Sequence, residues 1–259
     1  MSKRRISTST ASLVDVLAFP FRDEHATNRL LAGVGLLFLS IVVPIVPALI
    51  VYGYLLDIMR QAVDGQPATL PEWTDWGKLL LDGLKALVVG FVYMLPALFV
   101  LSVGTGLYCG TSFLTVIISQ NGGPAPAAEG AFSALFLIVI LVFFMSISVG
   151  AVLSLLGALP LPAAEAGLSS DDKLVSAFAL GRLLQVVRAN IGGYIVAWVV
   201  LAGLWAFMYW GLMIAYYTLV LACLVPLLLL PLTYYTLLVA AVLFGQAYRD
   251  GVQNLAKAK

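Results

Sequence analysis

The stretch AFSALFLIVILVFFMSISVGAVLSLLGAL, residues 131–159, decides the fold class. It holds no Asp, Glu, Lys, Arg or His, and it exceeds the roughly 20 apolar residues a helix needs to cross a ~30 Å hydrocarbon layer. Without water to bind stray amides and carbonyls, such a segment must satisfy its backbone internally, and a helix does so. The rest of the chain is written for the same solvent. Of 259 residues, 62% are hydrophobic and 10% charged, with a mean hydropathy of +1.03, whereas soluble domains carry about 25% charged residues. Too little polar side chain is present to coat a water-facing globule, and the apolar blocks exclude a disordered chain. The net charge is +1 and the 14 Lys and Arg are dispersed, so no basic domain exists to neutralise a run of phosphates, and nucleic acid is not an expected partner.

Residues 79–103 form a second span, with Asp82 and Lys85 at its interfacial start. Residues 191–247 are too long for one crossing. They divide at Trp205, Tyr209, Trp210, Tyr216 and Tyr217 into spans 191–210 and 217–247, because Trp and Tyr favour the headgroup level. The block 30–56 contains Pro44 and Pro47 and reads either as a tight hairpin or as one kinked span. Charge placement favours the hairpin. Basic residues precede residue 30, lie at Arg60, Lys78 and Lys85, recur at Lys173, Arg182 and Arg188, and close the chain, while the connections 104–130 and 211–217 hold none. Those two connections then face outward and both termini face the cytoplasm. A single kinked span would put Arg60, Lys78 and Lys85 outside.

The fold expected is all-α and polytopic: about six membrane helices as three hairpins with amphipathic helices between them. Residues 30–247 form one transmembrane domain, in which 30–63 is a hairpin turning at Pro44 and Pro47. Residues 1–29 are a cytoplasmic segment with an interfacial helix, and 248–259 a cytoplasmic tail. Lys3, Arg4 and Arg5 are followed by polar sequence rather than an apolar core, so no signal peptide is read there. Three polar-faced segments, 12–29, 72–85 and 172–188, each precede an outgoing and a returning helix. Gln61-Ala-Val-Asp-Gly65 also rhymes with Gln246-Ala-Tyr-Arg-Asp-Gly251, each after a proline pair, Pro44 with Pro47 and Pro226 with Pro231. Either a duplicated helix unit or a coincidence between apolar segments accounts for this.

The run GYLLDIMR at 53–60, Gly65, LPEWTDWGKL at 70–79 and DGLKA at 82–86 resembles the signature of domain of unknown function 4013, a family of multi-pass membrane proteins seen mostly in archaea. Leu-Pro-Glu-Trp is its specific part, and the likeness extends from about residue 21 to residue 247. The resemblance implies an integral protein of an archaeal cell membrane. It brings no established activity and no site residues.

Little in the sequence carries catalysis. His25 is the sole histidine, without the further ligands a metal needs or a located triad partner, and reads as a solvated interfacial residue. No phosphate-binding loop, His-Glu-x-x-His or Gly-x-Ser-x-Gly occurs. No catalytic residue, cofactor or metal is therefore expected, and the acids Asp57, Asp64, Glu72 and Asp75 read as a solvated loop. Cys109 and Cys223 fall near the outer face, as free thiols or as a pair. The membrane interiors of the assigned spans hold no Asp, Glu, Lys, Arg or His, which argues against ion-coupled transport. Ser146, Gly150, Ser154 and Ala158 recur every four residues, as do Gly106 and Gly110, and suit close packing within the bundle or a seam with a second copy.

Pro44, Pro47, Pro226 and Pro231 are candidate helix breaks. Lys78, Lys85, Arg182 and Arg188, with Trp73 and Trp76, border apolar faces on the cytoplasmic side, as ordinary interfacial anchors or as a collar for anionic lipid headgroups. Asp82 and Lys85, three apart, are placed to pair. The favoured function is non-enzymatic: organising, binding or moving membrane lipids, or assisting an envelope complex, with a second copy or a membrane-protein partner. The alternative is a transporter or channel for a small neutral or apolar solute, marked by a polar cavity lined by Ser40, Ser146, Ser148, Thr233 or Tyr234.

Overall fold

The computed structural model describes residues 9–21, 26–123, 128–217 and 225–258. These residues form helices and no strand: α1 Ser9–Ala18, a 3-10 turn Phe19–Phe21, α2 Ala26–Val42, α3 Val46–Val63, α4 Trp76–Gln120, α5 Glu129–Ala158, α6 Leu161–Asp171, α7 Leu174–Ala177, α8 Leu180–Ala189, α9 Ile191–Tyr217 and α10 Val225–Lys257. The protein is thus an all-α, polytopic helical membrane protein. Five segments among the described residues are long and apolar enough to cross a membrane: Val46–Val63, Trp76–Gln120, Glu129–Asp171, Ile191–Ile214 and Leu227–Lys257. The sixth expected helix is α2, which at 17 residues falls just short.

Two compact units divide the chain, residues 1–89 with 162–259, and residues 90–161. In the first, α3 is buried along most of its length, from Leu49 to Ala62, and it packs against α2 and α10. Glycine permits the tightest approach. A Cβ at Gly53 would overlap the carbonyl of Leu79, and one at Gly83 would overlap the carbonyl of Leu49, so α3 and the first turns of α4 meet backbone to backbone. On the opposite side, a Cβ at Gly245 would come within 2.8 Å of Ala62. The short helix α6 is walled in, with Ala163, Ala164, Ala166 and Leu168 at 1% exposure or less. The two rhyming segments lie side by side, Gly65 at a positive φ of 76° beside the Arg249 guanidinium.

The second unit holds the rest of α4 and α5, whose residues pair in antiparallel order. A Cβ at Gly150 would lie 2.6 Å from Leu101, Gly104 faces Ser146, and the rings of Tyr108 and Phe143 stack at 4.7 Å. Of the small-residue stripe, Ser146 and Gly150 lie in a seam inside this hairpin, which continues at Gly157, a residue outside the stripe, whereas a Cβ at Gly106 or Gly110 would meet nothing within 4 Å.

Several boundaries move. Helix α4 does not end at residue 103; it continues through 104–120, most of the segment expected as an outer loop. Membrane helices absorb hydroxyls by turning them back: Thr111 donates to Leu107 O, Thr115 to Thr111 O and Ser119 to Val116 O. Helix α9 likewise runs through the aromatic cluster to Tyr217, past the expected end at 210, and the start of the following span expected at 217 lies outside the described residues, which resume with α10 at Val225. Pro231 lies inside α10, and Pro226 is the second described residue of that helix. Pro44 occupies the break between α2 and α3, and Pro47 sits in the first turn of α3. Residues 248–257 extend α10 and are no separate tail. The segment 72–85 is not one interfacial helix, because Asp75 Oδ1 accepts from Lys78 N at 3.1 Å and starts α4 at Trp76. Segment 172–188 is split between α7 and α8. Segment 12–29 is interrupted at Phe19–Phe21, and His25 and Cys223 lie outside the described residues. Cys109 is an exposed free thiol on α4.

Candidate functional site

The Leu-Pro-Glu-Trp stretch forms a strap across the first unit. Its backbone is irregular from residue 66 to 75, since Pro71 removes a donor, and side chains from two helices supply what a regular element would. Arg29 of α2 donates to Leu70 O at 2.6 Å and reaches Glu72 Oε1 at 3.3 Å. Tyr54 of α3 donates to Pro71 O at 2.9 Å, and its ring stacks on Trp73 at 3.9 Å with planes 4° apart. Trp73 Nε1 closes the strap by donating to Arg29 O at 3.1 Å.

Beneath the strap lies a network of six charges. Arg60 donates to Asp57 at 2.6 Å, to Asp82 at 3.2 Å and to Ser169 O at 3.0 Å. Lys78 also reaches Asp57, at 3.1 Å, while Lys85 bridges Asp82 at 3.1 Å and Asp172 at 3.0 Å. Three cations meet three carboxylates, so the network is neutral, and it ties α3 to α4 and to the end of α6. Asp82 is only 4% exposed, which its two cationic partners make tolerable. The bond from Lys85 holds the Asp172 carboxyl below the usual carboxylate range. Asp172 also sits at a φ of +54°, a left-handed position that turns the chain out of α6.

A second polar group lies deeper. From Arg60 to Tyr52 is eight residues along α3, about 12 Å at 1.5 Å per residue, and there the Tyr52 hydroxyl donates to Glu165 Oε1 of α6. Tyr52 and Glu165 border a cavity of about 120 Å3 whose other walls are apolar. In the second unit, α4 and α5 form a larger groove of about 430 Å3, lined by Phe99, Val103, Ile138, Leu141, Met145 and neighbours. Its one hydroxyl, Ser146, is turned back onto Phe143 O at 2.7 Å.

The expected site residues disperse. Lys78 and Lys85 belong to the ion network, and Asp82 and Lys85 pair as their spacing suggests. Trp73 belongs to the strap, whereas Trp76 is 46% exposed. Arg182 pairs with Asp171 at 3.0 Å, and Arg188 is exposed at the end of α8. The hydroxyls expected around a polar cavity serve their own helices: Ser40 donates to Leu36 O and Ser148 to Phe144 O. Thr233 meets Met208 Sδ at 3.8 Å, and the Tyr234 hydroxyl is buried without a partner. Two groups escaped the sequence reading, Arg60 as a hub and Glu165 as a cavity carboxyl. The signal for Glu165 was its setting among Ala163, Ala164, Ala166 and Gly167, since a run of small residues marks close helix packing rather than a solvated connection.

A family profile described as "Protein of unknown function (DUF4013)" matches residues 36–223, nearly three quarters of the chain. The chain belongs to the DUF4013 family. Searches of curated proteins and of solved structures returned no match. The DUF4013 match takes in the Glu72 and Trp73 strap, all six charges of the network and Glu165, and it leaves out α10, which closes the cavity beside Glu165.

Proposed function

We propose that this protein is a non-enzymatic integral protein of the cell membrane that binds and organises lipids, directly or in service of an envelope complex. The observation that supports this reading is the apolar groove between α4 and α5. Pockets for small molecules have volumes of about 300–1,000 Å3 with a few polar groups for orientation, and this one has the size without free polar groups. An acyl chain needs that and nothing more. Between Lys85 and Glu165 the only charge is Glu129, at the first turn of α5, so the groove belongs in hydrocarbon.

Native mass spectrometry of the gently extracted chain is expected to retain phospholipid at fixed stoichiometry. Val142→Trp, which fills the groove, is expected to release about one lipid per chain while the protein elutes unchanged on gel filtration. Loss of all lipid from the wild type, with an oligomer or a second protein retained, would replace lipid handling by assembly.

The orientation proposed has both termini in the cytoplasm. Its support is the location of Arg60, Lys78 and Lys85 in one network joined to the α6–α7 connection. In a cysteine-free background, a cysteine at Gln66 is expected to react with an impermeant maleimide only from the cytoplasmic side. Labelling solely from outside would invert the topology.

A further inference from the structure

The 120 Å3 cavity between α3, α6 and α10 has chemistry that an acyl chain does not need. Met59, Leu237 and Phe244 are among its apolar walls, and Ala240 and Ala241 leave it room. The two polar side chains that line it are Tyr52 and Glu165, with the tyrosine hydroxyl donating to Glu165 Oε1. Among the described residues no Lys or Arg pairs with that carboxyl. The nearest cation along α3, Arg60, is bound to Asp57, Asp82 and Ser169 O.

One hydroxyl orients one carboxylate oxygen and leaves the remaining acceptor sites, including those of the second oxygen, open. A carboxyl among apolar walls stays charged only beside a counter-charge and otherwise takes up a proton, and an ionisable side chain inside a helical bundle marks a site or path for its complement. We propose that this cavity binds a primary ammonium group on a short aliphatic stem. Glu165 is the counter-ion, Tyr52 fixes the carboxylate, and Phe244 contributes an aromatic side chain to the wall of the same cavity. At ~30 Å3 per water the space equals about four waters, which limits the ligand to about five heavy atoms within the cavity. The same chemistry is presented by a free alkylamine and by the amine of an ethanolamine headgroup.

The test is thermal unfolding of the full chain in mild detergent at neutral pH, with n-butylammonium chloride, n-butanol or sodium chloride at matched concentration. Butylammonium is expected to raise Tm saturably by at least about 3 °C, and butanol and sodium chloride not to. Glu165→Gln is expected to abolish the shift. So is Ala241→Leu, which fills the space and keeps the charge, and which carries the comparison should the first variant not fold. In a parallel arm, native mass spectrometry with phosphatidylethanolamine against phosphatidylglycerol identifies a lipid source if only the former is retained and Ala241→Leu loses it. The proposal is overturned if butanol shifts Tm as far as butylammonium, if Glu165→Gln keeps the shift, or if neither amine source binds. The outcome is independent of the groove, since Val142→Trp leaves this cavity's residues untouched.

Discussion

Gly83→Leu is expected to prevent recovery of folded protein. Its Cβ would overlap the Leu49 carbonyl oxygen, and no rotamer relieves an overlap with backbone. Helices α3 and α4 would have to separate, which moves Gly53 off Leu79 and pulls Asp82 from Arg60. Overpacking of a tight core costs about 1–3 kcal/mol and occasionally more, and a backbone clash that also opens an ion network belongs at the upper end. Fluorescence-detected gel filtration after detergent extraction should show the variant in the void volume. Gly90→Ala is the control, because a Cβ there meets nothing within 4 Å. Removing a glycine from a helix interior stabilises by about 0.5–1 kcal/mol, so its melting temperature should hold or rise. A monodisperse Gly83→Leu protein with wild-type Tm would refute the backbone contact between α3 and α4.

Arg60→Leu should be nearly as damaging, for an electrostatic reason. Its side chain is 22% exposed and faces Asp57 and Asp82 together, and Asp82 retains only 6% side-chain exposure. Removing one partner of a buried ion pair costs about 3–5 kcal/mol when the remaining charge is stranded. Here Asp82 keeps Lys85 and Asp57 keeps Lys78, and Arg60 is itself partly exposed, so the expected cost is about 2 kcal/mol, that of lost hydrogen bonds to charged groups. Arg60→Lys keeps the charge but not the planar fork that serves two carboxylates and the Ser169 carbonyl at once, so it should recover only part of the loss. The double variant Arg60→Leu with Asp82→Leu, which also deletes the buried carboxylate left with Lys85 as its one cationic partner, should be more stable than Arg60→Leu alone. Equal stability of the two in denaturant titration would mean that Asp82 does not depend on Arg60.

These two sites also show where the sequence was readable. Residues 131–159 declare a membrane helix because nothing in them can bear water, and α5 covers nearly the same residues. Arg60, Lys78 and Lys85 were grouped as the basic residues of one connection, and the structure joins them in one network; the Asp82–Lys85 pair was legible in its spacing, whereas Lys85 and Asp172 lie 87 residues apart, a separation that leaves no trace in local spacing. Residues 104–120 were misread because Gly104, Gly106, Gly110, Thr111 and Thr115 resemble a loop in water. In lipid the same residues keep a helix, because their hydroxyls find acceptors one turn back. The aromatic cluster from Trp205 to Tyr217 was taken as an interface marker and proved to be helix. Glu165 stayed hidden because a single carboxyl in a short connection reads as solvated until α3 and α10 are seen to close around it.

On the proposed topology the neutral six-charge network acts at two times in the life of the chain. During synthesis the segment from Arg60 to Lys85 emerges before α6 exists, so Asp172 is absent and Lys85 lacks one of its two carboxylates. Insertion machinery reads Lys and Arg far more than Asp and Glu, and on the proposed topology these cations then act as tethers that keep the segment from crossing. Once α6 arrives, Asp172 joins Lys85 and completes the neutral network, and the topological signal is absorbed by the folded product. Reversing the orientation of the finished protein would require pulling all six charges apart and carrying them through hydrocarbon, so an orientation chosen in seconds becomes permanent.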